Sequence, residues 1–268
     1  MNIVKADGSI QPYSEEKLLS SIKRAGVPQS LQYHVLENVR NKLYSNIPSV
    51  EIYKIILESL DRSSQPLSKS RYSLKQSIMQ IGPTGYPFED FIAQVLNEQS
   101  FQTSTRQVLL GKCVQHEIDV IAIKDKQKNM IEAKYHNNAG SRTDVQVSLY
   151  VKSRFDDLKD KHLFTQAWIV TNTKATSDAI AYALCSGMKI ISWSYPEGES
   201  LREMIEKSKM HPITMLTTLS QSQKSELLNR HIVLCKELRT NADLLTLLHL
   251  NPAQKEKVIA ELQYIHNN

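Results

Sequence analysis

The sequence predicts an α/β protein in three parts, and three observations carry that prediction. Near the start, two short strand-like runs flank an Asp-Gly turn and lead into helical periodicity. In the middle, HEIDVIAIKDKQKNMIEAKYHN reads as two apolar strands around a charged turn, and a strand-helix-strand run follows it. Toward the end, the chain becomes Leu-rich with helical spacing. A hairpin with four helices, a central mixed sheet flanked by helices and a helical C-terminal region follow from these.

Taken in order, Ile3-Val4-Lys5 and Ile10-Gln11-Pro12-Tyr13 form the hairpin around Ala6-Asp7-Gly8-Ser9, where Gly accepts positive φ. Ser14 is placed to cap a helix, with Glu15 and Glu16 in its first turn where the helix dipole favours acids. Leu18, Leu19 and Ile22 give that helix one apolar stripe. Val35, Leu36, Val39 and Leu43 mark a second helix, and Ile52, Ile55, Ile56 and Leu60 a third, with Ser49 as its expected cap. A fourth helix is expected from about Leu67 to Ile81. The stretch Gly82 to Pro87, GPTGYP, then reads as a boundary because its Gly and Pro interrupt both periodicities.

Beyond it, PFEDFIAQVL is an amphipathic helix, and the two strands of residues 116–137 follow. AWIVT, SDAIAYALCSG and KIISWS make a strand-helix-strand unit, which closes as a right-handed parallel crossover. From about Ile205 to the end the reading is helical, with no internal repeat. The expected parts are residues 1–84, 85–205 and 206–268.

Composition bounds the function. Of 268 residues, 41% are hydrophobic and 23% charged, ordinary for a soluble globular chain. The net charge of +5 is not gathered into the dense basic stripe of a passive nucleic-acid binder. Cys113, Cys185 and Cys235 have no metal-type spacing and fit reduced thiols rather than a disulfide framework. No apolar run reaches the roughly 18 residues of a membrane span, and the first residues lack a signal-peptide core. The expectation is a soluble, cytoplasmic protein.

Charge inside the central strands raises the functional question. Glu132 and Lys134 are two apart on a strand and share a face. If the preceding strand pairs with theirs, Asp119 reaches that face about 5 Å away. Two such carboxylates suit Mg2+ or Mn2+, which prefer carboxylate and water oxygens, and a neighbouring ammonium suits phosphodiester hydrolysis. Alternation alone favours the plainer reading, with Glu132 and Lys134 merely facing solvent. Three further features favour the site: His116 three residues before Asp119, the pair Gln146 and Tyr150 at i, i+4 on an expected helix, and Glu89 opening the helix upstream.

The series H-x-x-D, E-x-K and Q-x-x-x-Y resembles the PD-(D/E)xK nuclease superfamily. GYPFEDFIA, HEIDVIA and VTNTKATSDAIAYA resemble its Mrr-type restriction-endonuclease branch, over roughly residues 85–205. That resemblance implies a restriction-endonuclease-like sheet in which Asp119 and Glu132 hold the metal and Lys134 serves the attacking water. Gln146 and Tyr150 would position active-site groups or DNA, and Glu89 would be an accessory acid. His116 stays open between a structural hydrogen-bonding role and a metal ligand. There is no Pro before Asp119. Tyr135, His136 and Asn137 could approach DNA or simply end a strand, and Lys152 and Arg154 read as a solvated face.

VKADGSIQPYSEEKLLSSIKRAG resembles the ATP-cone, a nucleotide-sensing module, over about residues 1–84. The resemblance implies ATP or dATP as an allosteric effector, with Val4, Lys5 and Lys17 at the nucleotide and Ser49 near its base. Ala6 stands where a basic residue commonly follows the lysine. No G-x-x-x-x-G-K-[ST] stretch occurs, so the nucleotide is expected to be sensed rather than consumed. The C-terminal Leu stripes read as a packing or dimer-forming unit, with a DNA clamp as the alternative.

The combined expectation is a metal-dependent DNA endonuclease under nucleotide control, acting as a homo-oligomer. The competing one is a nucleotide-sensing DNA-binding regulator whose nuclease fold does not cut.

Overall fold

A computed structural model describes residues 1–63, 67–82 and 84–267. The chain forms two compact units, one of Met1–Ile78, Ile213–Lys224 and the segment from Cys235 onward, the other of Met79–Pro212 and Ser225–Leu234.

In the first unit, β1 (Asn2–Val4) and β2 (Ile10–Pro12) pair antiparallel. Gly8 turns the chain at φ +80°, and the Asp7 carboxylate accepts from the Ser9 amide at 3.1 Å and its hydroxyl at 2.6 Å. Helix α1 (Glu15–Arg24) starts where the Ser14 hydroxyl accepts from the Lys17 amide at 3.2 Å, the expected cap. After α2 (Gln29–Lys42), the two-residue strand β3 (Ile47–Pro48) pairs parallel to β1, giving the order β2-β1-β3. That strand was not foreseen, and it displaces the expected cap of α3 (Ser49–Asp61). Pro48 takes the N-cap position and Ser49 is the first helical residue, with no side-chain capping bond. Ile22, Val35, Val39, Ile47, Ile56 and Leu60 are buried together in this unit's core.

The expected helix from Leu67 to Ile81 is instead two short ones, α4 (Ser68–Tyr72) and α5 (Leu74–Ile78). Serines account for the break. Ser73 Oγ donates to the Ser70 carbonyl at 2.7 Å, beside the Ser73 amide at 3.2 Å, which competes with the helical ladder at the break. Of the boundary stretch Gly82 to Pro87, Pro83 lies outside the described residues.

The second unit opens with α6 (Tyr86–Glu98), which has Pro87 in its first turn. Its sheet is built from β4 (Gln102–Leu110), β5 (Gln115–Lys124), β6 (Gln127–Lys134), β8 (Gln166–Thr171) and β10 (Lys189–Ile191). Between these strands lie the short strand β7 (Arg142–Thr143), helix α7 (Val145–His162), the short strand β9 (Lys174–Ala175) and helix α8 (Ser177–Cys185). The sheet order is β10-β8-β6-β5-β4. β4, β5 and β6 run antiparallel, while β6, β8 and β10 run parallel, so the sheet is mixed. The β5–β6 turn is Asp125-Lys126, both at positive φ, the geometry that matches strand twist in two-residue hairpins. Val151 and Leu158 of α7 and Ala179 and Ala183 of α8 pack with Met130 and Ile169 of the sheet. Helix α9 (Leu201–Ser208) follows with a reciprocal capping box between Ser200 and Glu203.

The C-terminal region is helical but more broken than its Leu stripes imply. It holds a 3-10 turn at Ile213–Met215, α10 (Gln221–Asn229), α11 (Cys235–Thr240), a 3-10 stretch at Ala242–Leu248 and α12 (Pro252–Asn267). Glu261 of α12 is fully buried and surrounded by donors. Thr217 and Thr218 each give it an amide and a hydroxyl hydrogen at 2.7–2.9 Å, and the Ser70 hydroxyl adds another. Those bonds offset the desolvation that an unpaired carboxylate would suffer. Among the described residues no helix is long and apolar enough to cross a membrane.

Candidate nuclease and nucleotide sites

The β5–β6 ladder ends at Val120 opposite Ile131, and the same register continued by one residue sets Asp119 opposite Glu132. At that end Asp119 Oδ2 accepts from the Ala133 amide at 2.8 Å, replacing a ladder bond. Burial and then the Glu132 charge push the Asp119 carboxyl up to about 7. The Ala133 amide and the Arg154 charge pull the other way, and Glu89 adds a further negative charge. Ile131 and Ala133 are buried, whereas Glu132 and Lys134 alternate with them on the more open face. Among the described residues Lys134 forms no ion pair, although its charge helps lower the pKa of His136 after burial.

Arg154, on α7, corrects the expectation of a solvated face. It is 8% exposed, ion-pairs with Glu132, and donates through its other terminal nitrogen to the Glu117 carbonyl. The Tyr150 ring centre lies 5.1 Å from its guanidinium carbon, with Tyr150 itself exposed. Gln146 is also exposed, at the start of the same helix. Gln146, Tyr150 and Arg154 are spaced by four, so the stripe that suggested the first two could have found the third. Lys152 pairs with Asp156 at i, i+4 on that helix.

Glu89 is buried in the first turn of α6 and ion-pairs with Arg106 at 3.3 Å. Burial raises its pKa and Arg106 opposes the rise. Arg106 also reaches Asp90 at 2.8 Å and has φ +52°, at the β4 position between the Thr105–Val120 and Gln107–Ile118 pairs. His116 gives its Nε2 to Asp157 of α7 at 2.8 Å. Asp157 also accepts from the Cys113 amide at 2.7 Å, and these bonds, His116 foremost, hold its carboxyl well below the usual range. Among the described residues no group of three His, Cys, Asp or Glu side chains is arranged to hold a metal. The structure thus brings Asp119 and Glu132 together and leaves His116 with Asp157.

Past Lys134, Tyr135 is turned inward, its hydroxyl donating to the Met79 carbonyl at 2.7 Å. His136 is tied to Asn172 and Thr143, and Asn137 is exposed. The first two therefore finish a strand by internal hydrogen bonds.

In the first unit, a cavity of about 260 Å³ is lined by Lys5, Lys17 and Ser49, together with Tyr13, Tyr53 and Tyr72. Val4 pairs with Ile10 and Pro48 and is not among the lining residues.

Known families match along the chain: an ATP cone domain at residues 1–76, a restriction endonuclease domain at 83–205 and an AF1548-like C-terminal domain at 211–266. An uncharacterized protein of Archaeoglobus fulgidus is 37% identical over 175 residues, 65% of this chain and 99% of that protein. The crystal structure of AF1548, a protein of unknown function, matches with a TM-score of 0.60 and 35% identity, covering 69% of this chain and all of that one. Can2 from Sulfobacillus thermosulfidooxidans, solved with cyclic tetra-adenylate, matches at 10% identity and a TM-score of 0.34 over 74% of this chain and 56% of that one, too weak to carry an argument. With the relatives spanned almost end to end at this identity, the chain belongs to the AF1548-like family and joins an ATP cone domain to a restriction endonuclease domain.

Proposed function

We propose that the protein is a divalent-metal-dependent DNA endonuclease, regulated by ATP or dATP at its N-terminal domain. The observation that supports this reading is the opposition of Asp119 and Glu132 at the end of the β5–β6 ladder, with Lys134 on the same face of β6 as Glu132 and, among the described residues, in no ion pair. In functional terms the parts are residues 1–84 for nucleotide sensing, 85–205 for cleavage and 206–268 for packing or self-association.

The donor set fits Mg2+ or Mn2+. Two facing carboxylates, one of them forced toward its neutral form, call for a countercharge, and Mg2+ binds through one or two carboxylates while keeping several waters. Asp119 and Glu132 would hold it, and His116 would join only by leaving Asp157. When bound, the ion lowers the pKa of its water and offsets charge gathering on the phosphate. The Lys134 ammonium orients the attacking water and stabilises the crowded phosphorus, a role that needs a cation not already neutralised. Tyr150 and Gln146 position DNA or site groups from α7, with Arg154 linking Tyr150 to Glu132. Glu89 acts as an accessory acid.

The Arg154–Glu132 ion pair favours a second reading, a DNA-binding regulator that does not cut, because it already supplies Glu132 with a cation. Plasmid nicking with Mg2+ or Mn2+ decides between them. Wild-type protein is expected to nick, Asp119→Ala to remain folded without nicking, and Glu132→Ala to lose nicking together with some stability, because it leaves Arg154 without its partner. DNA binding with no nicking by the wild type would establish the regulator. Wild-type rates in either variant would exclude this site.

A further inference from the structure

Two tyrosines of the first unit are held in an unusual way. The hydroxyls of Tyr13 and Tyr53 are buried with no hydrogen-bond partner among the described residues. Both residues line the same cavity as Lys5 and Lys17. The Tyr53 ring is fixed by stacking on Tyr72, at 5.6 Å between centres and 22° between planes. Tyr53 also follows Ser49 by one turn of α3, so both belong to the stripe that faces the cavity. Burial raises the pKa of both phenols, so neutral O–H groups stand in the wall.

A buried hydroxyl without a partner destabilises the fold, and phenylalanine would fill the same space without that cost. Tyrosine gains nothing there unless something else completes its hydrogen bonds. The chemistry of the wall divides accordingly. The two lysines are cations suited to phosphate oxygens, whereas a neutral phenol both donates and accepts, which suits the mixed polar groups of a base and sugar.

Resting on the nucleotide-sensing reading, we infer that the Tyr13 and Tyr53 hydroxyls read the nucleoside part of the ligand. They make the cavity select a nucleoside triphosphate over bare polyphosphate. The two hydroxyls trade stability of the ligand-free domain for recognition.

The test uses the full chain with Tyr13→Phe and Tyr53→Phe, separately and together. Thermal melting is measured without ligand, and calorimetry with ATP and with tripolyphosphate. Each variant is expected to melt, ligand-free, at the same temperature as wild type or up to about 4 °C higher. ATP affinity is expected to fall about tenfold per hydroxyl, within the range for losing a buried hydrogen bond. Tripolyphosphate affinity should not change. A lower melting temperature of the ligand-free variants would mean that the hydroxyls serve the fold, and an unchanged ATP affinity that they do not touch the ligand; either overturns the inference. An equal loss for tripolyphosphate would make them phosphate contacts. If wild-type protein binds no ATP at millimolar concentration, the nucleotide reading falls and this inference with it.

Discussion

Burial and the facing Glu132 carboxylate both favour the protonated form of Asp119, whereas holding a divalent ion requires the charged form. The folded-state value of about 7 lies above the ordinary 3.8. Folded protein therefore keeps a proton that the unfolded chain has released. The stability contributed by this proton is fully present below about pH 4 and is lost as pH rises through about 7. In metal-free protein, melting temperature should carry a component that declines over that window and is absent from Asp119→Asn. Metal affinity should move oppositely, tightening from pH 6 to pH 8 with release of about one proton per ion. Calorimetry in two buffers of different ionisation enthalpy reads both, and a pH-independent affinity would place the metal elsewhere. Lys134 makes a separate prediction. Lys134→Ala should still bind metal and DNA but lose cleavage by about 10²-fold or more. Weaker DNA binding with an unchanged rate at saturation would make Lys134 a phosphate contact instead.

At the level of elements, α7 carries the feature that ties site to scaffold. Arg154 and Glu132 form a largely buried pair, so removing one partner leaves a charge without compensation. Arg154→Met should cost about 3 kcal/mol in metal-free protein, and the double change with Glu132→Met should recover much of it. Urea unfolding of the four proteins measures this coupling, and additive losses would show that the pair is energetically idle. The same helix shows where sequence reading stops. Periodicity gave the helix, and the short apolar runs on either side of the charged turn at Asp125 gave the hairpin strands. It did not give β4, whose QTSTRQVLL is mostly polar and lies at the sheet edge, where few side chains need burial. Nor did it separate Arg154 from its solvated neighbours, since an arginine buried by pairing looks like any other charge until its partner is known. The β3 strand is only two residues long, and its pairing with β1 is a tertiary contact that no local pattern announces. Ser49 was misplaced for that reason: extending the strand to Pro48 moved the helix start by one residue.

For the molecule as a whole, a cavity proposed to bind nucleotide and a site proposed to cleave DNA share one chain, and thermodynamics limits how they communicate. A nucleotide alters cleavage only if it binds one state of the protein better than another, and the effect is reciprocal. A coupling of about 1–3 kcal/mol, common in allosteric proteins, would change activity or oligomer populations roughly five- to a hundredfold. The burial of Glu261 against Ser70, Thr217 and Thr218 fastens the C-terminal helix α12 to the end of the ATP cone domain within a single compact unit. An order change at the cavity is therefore expected to reach the C-terminal helices, where self-association is proposed. ATP or dATP should accordingly shift the sedimentation profile, the plasmid cleavage rate or both, with no phosphate released. Lys5→Ala combined with Lys17→Ala should abolish that response and leave nucleotide-free cleavage intact, because neither lysine belongs to the Asp119 site. By reciprocity, DNA bound to the Asp119→Ala protein should change its ATP affinity by the same factor that ATP changes its DNA affinity. Calorimetry in both orders of addition measures the two factors. If ATP binds yet leaves DNA affinity, oligomer size and cleavage rate unchanged, the domain binds nucleotide without regulating the nuclease.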